Sequence, residues 1–242
     1  VFPGYAFHAE YFPCGRASGD YYDYIEIDDR YLGVVIADVS GHGAHASVIM
    51  ALLRTFFQLM PSTLMSPGKT LIDLNRFLTN NIYSGDFVTM FYGVLDTKNH
   101  SFCYANAGHN YPFIWDANAQ KMDELLSQNA LPLAIREEFE VKEFNRELHK
   151  GDRILLFTDG LTDGQSPDNT FIGKEHVLEI VERTARQADT IENFVKNISR
   201  DFFDFTQSAQ LFDDVTISAI ELIDFSKPHF VETAFREMNE EV

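Results

Sequence analysis

The sequence predicts an α+β domain in which two antiparallel sheets pack together and helices cover their outer faces. Two patterns support this prediction. Segments rich in aromatic and β-branched residues, typical of strands, occur in groups. Segments with apolar residues at helical spacing occur as two consecutive pairs. Grouped strands and grouped helices favour an α+β fold over alternating βαβ units, and 242 residues are enough for one large domain.

The first half of the chain contains three predicted strands and two predicted helices. The strands cover residues 5–12, 21–27 and 31–39, with a turn at residues 28–30 between the last two. The first helix begins after Gly43 and ends near Pro61, and the second follows Pro67.

The remainder repeats this order of strands followed by helices. Strands are predicted at residues 87–95, 101–107, 111–115, 138–144, 153–158 and 215–222, and helices around residues 177–181 and 191–202. We assign residues 1–222 to one domain and residues 223–242 to an acidic tail. In that tail, Phe230, Ala234, Phe235 and Met238 fit a weak amphipathic helix.

Composition excludes several classes of protein. A net charge of −18 argues against a general nucleic-acid-binding protein, which would be basic. Two cysteines, Cys14 and Cys103, cannot form a disulfide framework, and they fit a reduced, cytoplasmic setting. No apolar run approaches the length of a membrane span, so we expect no membrane insertion by this segment.

Acidic residues occur where predicted strands begin or end. Asp20 opens a strand, Asp38 lies at the end of one, Asp159 follows one, and the pair Asp213 and Asp214 precedes the last. A carboxylate beside an apolar strand is costly unless it is paired, and a divalent cation is the simplest partner for several of them. Ligand sets made only of oxygen atoms select Mg²⁺, Mn²⁺ or Ca²⁺.

Other kinds of site lack their sequence patterns. There is no helical histidine pair for zinc and no serine in a nucleophile elbow. The glycine-rich segment at residues 41–43 is not followed by the lysine of a phosphate-binding P-loop. Each acidic motif alone is weak, because an Asp-Gly step after a strand is usually only a turn.

Five short motifs together resemble a known family. They cover residues 18–23, 36–43, 106–110, 157–163 and 212–216. In this order they resemble the SpoIIE/RsbU branch of the bacterial metal-dependent (PPM) serine/threonine phosphatases. The resemblance extends from residue 18 to residue 216, which is nearly the whole predicted domain.

The resemblance implies a four-layer α/β/β/α sandwich with two Mn²⁺ or Mg²⁺ ions at one edge of the sheets. By motif, Asp20, Asp38, Asp159 and Asp213 would bind these ions, with Asp38 bridging them. The backbone carbonyl of Val39 would be a further ligand. A metal-activated water would then hydrolyse phosphoserine or phosphothreonine without a covalent enzyme intermediate.

Some positions depart from the family pattern. Ser18 replaces the first glycine of the usual Gly-Gly-Asp, and His45 stands where proline is common. Ser40 stands where eukaryotic relatives have histidine, and we find no counterpart of their phosphate-binding arginine. Two roles remain open for His42 and His45: contact with substrate or metal-bound water, or a polar position at a helix start. For His109 we expect a role in stabilising a tight turn.

The resemblance also implies the type of substrate. Family members often act on phosphorylated regulatory proteins such as anti-sigma-factor antagonists, and commonly carry a sensor or receiver domain upstream. Two alternatives remain: a pseudophosphatase that binds a partner without turnover, and another metal hydrolase such as a nucleotide phosphodiesterase. The complete set of four acids argues against the first, and the lack of His-Asp clusters argues against the second.

Overall fold

The computed structural model describes residues 2–15, 17–41, 43–60, 63–82, 85–128, 130–207 and 211–223. Ten strands and four helices follow one another along these residues. The elements of the first half are β1 (Tyr5–Phe12), β2 (Asp20–Glu26), β3 (Tyr31–Val39), α1 (Ala44–Leu59), α2 (Pro67–Asn81), β4 (Val88–Asp96) and β5 (Ser101–Ala107). Those of the second half are β6 (Phe113–Asp116), β7 (Lys121–Glu124), β8 (Phe144–Glu147), β9 (Arg153–Phe157), α3 (Gly173–Gln187), α4 (Ile191–Thr206) and β10 (Val215–Leu222). The amphipathic helix predicted in the acidic tail lies outside the described residues.

These strands form two five-stranded antiparallel sheets. One has the order β1-β10-β9-β6-β7 and the other the order β2-β3-β4-β5-β8. Each sheet therefore combines strands from distant parts of the chain. For example, β1 pairs with β10, so that Tyr5 lies opposite Leu222.

Three apolar layers hold the sheets and helices together. One layer, which includes Ile36, Phe91 and Ile220, lies between the two sheets. A second layer packs α1 and α2 on one sheet, and a third packs α3 and α4 on the other. The arrangement is an α/β/β/α sandwich, so the predicted fold class is confirmed.

The predicted helix boundaries agree with the local chemistry. The Ser66 hydroxyl accepts a hydrogen bond from the Lys69 amide, and Pro67 occupies the first turn, where no amide donor is required. α1 begins directly after Gly43 and ends before Pro61, as the sequence indicates. None of the helices in the described residues is long and apolar enough to cross a bilayer.

Two predicted strands differ from the structure. The strand expected at residues 111–115 begins only at Phe113, because Pro112 has no amide to donate to a neighbouring strand. The strand expected at residues 138–144 is wrong apart from its last residue, since β8 covers Phe144–Glu147. The sequence does not predict β7, because this strand contains a single buried residue, Met122.

The segment before β8 packs on the helical layer instead of pairing in a sheet. Phe139 and Val141 contact the apolar layer under α1 and α2. The Asn75 side-chain amide, on α2, donates to the carbonyls of Arg136 and Glu137 at 2.9 and 3.2 Å. The alternation that suggests a strand therefore reflects contact with helices.

The turn after β4 is held by an ion pair whose contribution should depend on pH. The Arg30 guanidinium and the amides of Lys98 and Asn99 donate to the Asp96 carboxylate. Of these, the Arg30 hydrogen bond does most to lower the pKa of Asp96, to about 2. An acid with a lowered pKa stabilises the fold above its unfolded pKa, and the stabilisation is lost as the pH falls through the folded value.

We expect Asp96→Asn to lower the free energy of unfolding at pH 7 by about 1–2 kcal/mol. The difference from wild type should shrink between pH 4 and pH 2, measured by urea unfolding with circular dichroism. Asp123→Asn is the matched control, because the Asp123–Lys121 pair is exposed on both sides. Equal stability of Asp96→Asn and wild type at pH 7 would contradict the prediction.

Candidate metal centre

The strand register places the predicted acids at one edge of the two sheets. Asp20, the first residue of β2, lies directly opposite Asp38 near the end of β3. In the other sheet, β9 ends at Phe157 and Asp159 begins a single 3₁₀ turn, Asp159–Leu161. β10 starts two residues after Asp213. Neighbouring antiparallel strands end and begin at the same edge, so each sheet contributes two acids.

Asp20 is buried and hydrogen-bonded across the two sheets. Its Oδ2 accepts from the hydroxyls of Thr158 and Thr216 at 2.8 and 2.6 Å. Thr158 Oγ1 also accepts from the Thr216 amide at 3.0 Å. The two threonines therefore fix the orientation of the carboxylate and leave Oδ1 for another partner.

The carboxylates at this edge act on one another electrostatically. Burial, followed by the charges of Asp159 and Asp213, raises the pKa of Asp38 to about 7. Burial also raises the pKa of Asp159, and the Asp213 carboxylate adds to the effect. For Asp20, burial raises the pKa and the Thr216 hydrogen bond opposes it. Burial and mutual repulsion therefore disfavour the charged forms of these carboxylates, and a cation at this edge would favour them.

Asp214 holds the backbone that leads into β2. Its Oδ1 accepts from the Cys14 amide at 2.8 Å and its Oδ2 from the Gly19 amide at 3.0 Å. Among the described residues, Cys14, Asp213 and Asp214 form the only group of three whose possible ligand atoms all lie within 4.8 Å of one another. Both Asp214 oxygens already accept amides, so we assign Asp214 a role in positioning Asp20.

The close approach of Gly19 to β3 leaves no room for a side chain. A Cβ on Gly19 would lie 2.9 Å from the Val39 carbonyl oxygen and 3.5 Å from Asp38 Oδ1. The Gly19 carbonyl accepts from the Val39 amide at 3.2 Å. Glycine at this position thus brings the start of β2 against the Val39 carbonyl and Asp38.

Two of the three histidines singled out in the sequence have partners in the described residues. His45 Nδ1 lies 2.9 Å from Asp86, which favours its role as a polar residue at the helix start. The Asn106 side chain bonds both the amide and the carbonyl of His109, and His109 Nδ1 lies 2.8 Å from Thr89 Oγ1. These contacts agree with the expected turn. His42 lies outside the described residues.

Sequence reasoning missed the roles of Thr158 and Thr216. Both lie within the motifs at residues 157–163 and 212–216, yet a buried threonine in a strand is usually read as part of the core. Their proximity to Asp20 comes from the packing of one sheet on the other. Asp20 and Thr216 are 196 residues apart in the sequence, so no local pattern indicates their contact.

We expect Thr216→Val to weaken Mn²⁺ binding by about 10- to 100-fold, because the loss of a hydrogen bond that orients a ligand has effects of this size. Valine keeps the shape and removes only the hydroxyl that donates to Asp20. Thr216→Ser restores the donor and should bind Mn²⁺ nearly as tightly as wild type, measured by isothermal titration calorimetry. Equal affinities for the valine and serine variants would show that the hydroxyl does not position Asp20.

Comparisons with known proteins find related sequences. A family model described as Stage II sporulation protein E (SpoIIE) matches residues 28–223. The phosphoserine phosphatase RsbU of Bacillus subtilis (strain 168) is 32% identical over 205 residues, which cover 85% of this chain and 59% of RsbU. The chain thus spans about three fifths of that relative.

Solved structures share the fold. The RsbU and RsbW domains of Rv1364c from Mycobacterium tuberculosis superpose with a TM-score of 0.75 and 27% identity, covering 92% of this chain and 61% of that one. The catalytic domain of the serine/threonine phosphatase PstP, in complex with 2 manganese ions, superposes with a TM-score of 0.64 and 15% identity. The match covers 91% of this chain and 99% of that one.

The α/β/β/α sandwich with acids at one sheet edge places this domain in the class of PPM-type phosphatase domains. Within this class, the chain belongs to the SpoIIE family. The resemblance found in the five sequence motifs is therefore confirmed.

Proposed function

We propose that this domain hydrolyses phosphoserine or phosphothreonine on a regulatory protein and requires Mn²⁺ or Mg²⁺. The observation that supports the proposal is that Asp38, which lies opposite Asp20 in one sheet, is close enough to Asp159 and Asp213 of the other sheet for their charges to raise its pKa. Each sheet thus supplies two acids to the same edge, and the family relationship supports a shared role for them in metal binding.

The donor atoms at this edge suit hard divalent cations. They are carboxylate oxygens, together with the carbonyl of Val39 beside Gly19. Burial and neighbouring carboxylates raise the pKa values of Asp38 and Asp159, and a bound cation would favour their charged forms. PstP, which shares the fold, holds 2 manganese ions, and this supports a site for two ions here.

The roles of the residues follow from their positions. Bound cations would polarise the phosphoryl group and lower the pKa of the attacking water. Asp38, Asp159 and Asp213 would hold these cations, and Asp20 would contribute Oδ1 because its Oδ2 is occupied by two threonines. Asp214 and Gly19 keep the start of β2 in place, so that the ligand geometry is set before substrate binds.

The substrate class rests on the relatives. RsbU is a phosphoserine phosphatase, and the chain matches 59% of it, so the same activity is part of the proposal. An anti-sigma-factor antagonist is the specific substrate we propose, acting in a cytoplasmic partner-switching system. We also propose that a sensor or receiver domain upstream controls the activity.

The test uses p-nitrophenyl phosphate as a generic aryl phosphate. Purified protein should turn it over with added Mn²⁺ or Mg²⁺ and lose turnover in excess EDTA. A phosphoserine peptide should then be hydrolysed and a cyclic nucleotide should not. Full activity in EDTA would overturn the metal requirement. A folded, metal-loaded protein without any turnover would favour the pseudophosphatase alternative.

A further inference from the structure

We propose that a cavity beside the acidic edge binds the substrate segment next to the phosphorylated residue and selects an uncharged, apolar side chain there. The inference rests on the proposed function, because it concerns the phosphoprotein that the acidic edge would dephosphorylate. The cavity has a volume of about 550 Å³. It lies between the turn after β5, the segment after β7 and the start of α3.

The cavity begins one turn from a proposed metal ligand. Thr162 and Asp163 line it, and the amides of both donate to the Asp159 carbonyl at 2.8 Å. An extended peptide advances about 3.3–3.6 Å per residue. A side chain about two residues from a phosphoserine held at Asp159 would therefore reach the cavity.

Both buried and exposed aromatic rings line this cavity. Phe157 is buried at 2% exposure, whereas Phe171 is 58% exposed. Tyr111 lines the cavity and lies under the Lys174 ammonium at 5.9 Å. An exposed phenylalanine beside a concave surface gains contacts when an apolar side chain of a ligand covers it.

Two side-chain amides add capacity for hydrogen bonds. Asn110 and Gln128 line the cavity, and within the described part of the chain their side chains form no hydrogen bond. An extended peptide has backbone N–H and C=O groups that need partners when they leave water. Amide groups can donate and accept, so they suit peptide backbone of any sequence.

The charges in the cavity argue against an acidic segment. The Lys174 ammonium forms an ion pair with Glu124, which reduces its attraction for a ligand carboxylate. Asp163 is exposed and adds negative charge close to Asp159. The whole chain carries a net charge of −18. An apolar side chain avoids this repulsion, and a glutamate does not.

Three phosphoserine peptides test the inference, each with the same residue placed two positions before and two positions after the phosphoserine. In the first peptide that residue is leucine, in the second glycine and in the third glutamate. With Mn²⁺, the leucine peptide should have a kcat/KM about 5- to 10-fold above that of the glycine peptide, and the glutamate peptide should be the poorest. The ratio of leucine to glycine peptide should fall to nearly 1 in Phe171→Ala.

Phe212→Ala is the matched control. Phe212 is 70% exposed and lies next to Asp213, but it lines a different, smaller cavity. This variant should keep the leucine preference of wild type. Loss of the preference in Phe212→Ala but not in Phe171→Ala would overturn the inference.

The outcomes separate the inference from the proposed function. Absence of Mn²⁺-dependent turnover of p-nitrophenyl phosphate would overturn the proposed function, and the inference with it. With that turnover present, equal kcat/KM values for the three peptides, or a preference for glutamate, would overturn the inference alone.

Discussion

Asp38→Asn is expected to lower kcat by at least about a hundredfold while the domain remains folded. Asp38 lies opposite Asp20 and is influenced by the charges of Asp159 and Asp213, so its carboxylate is central to the acidic edge. If it bridges two ions, its loss weakens both sites together. Turnover of p-nitrophenyl phosphate at saturating Mn²⁺ measures the effect.

The same substitution should not destabilise the metal-free protein. The pKa of Asp38 is raised to about 7, so its charged form is disfavoured in the fold. An acid with a raised pKa lowers stability above its unfolded pKa, and the full effect is present above the folded value. At pH 8 without metal, Asp38→Asn should therefore have a Tm equal to or above that of wild type.

Added Mn²⁺ should raise the Tm of wild type much more than that of Asp38→Asn, because a ligand stabilises the state that binds it. Asp123→Asn, on the exposed surface of β7, is the control and should match wild type in both measurements. A folded Asp38→Asn protein with kcat near wild type would show that Asp38 is not a bridging ligand.

Gly160→Ala is expected to reduce both stability and activity. A Cβ on Gly160 would lie 2.1 Å from the Asp214 carbonyl oxygen and 2.9 Å from its carbon. These are backbone atoms, so no side-chain rotation can relieve the clash. The 3₁₀ turn and the start of β10 must move apart, which separates Asp159 from Asp213.

We expect Gly160→Ala to cost about 1–3 kcal/mol in the free energy of unfolding. A shift of about 1 Å in a ligand should lower kcat/KM by about a hundredfold. Urea unfolding and the Mn²⁺-dependent assay measure the two effects. Gly15→Ala is the matched control, because nothing lies within 4 Å of a Cβ there. A Gly160→Ala protein that resembles the Gly15→Ala protein in both assays would contradict this account.

The sequence alone is sufficient for features that depend on neighbours along the chain. The apolar spacing predicts α1 and α2, and Ser66 with Pro67 marks the start of the second. Acids and glycines mark the ends of strands, so these local patterns indicate all four candidate ligands. The resemblance of five motifs implies the family and, with it, the fold.

Some features are out of reach of the sequence because they depend on contacts between distant segments. Residues 138–143 alternate like a strand, but Phe139 and Val141 pack against the helical layer. Alternation reports only that one side of a segment is buried, and it does not report what covers that side. The same limit explains why the sequence does not predict β7, which has one buried residue.

The sequence by itself determined where carboxylates stand at strand ends, since turn chemistry and apolar periodicity are local properties. The tertiary structure decided which of them meet. Only the packing of one sheet on the other brings Thr158 and Thr216 to Asp20 and Asp214 to the Gly19 amide, whereas the pairing of β1 with β10 brings Asp214 to the Cys14 amide. These contacts join residues up to 200 positions apart, and they depend on strand pairing within a sheet and on burial of the apolar layer between the sheets.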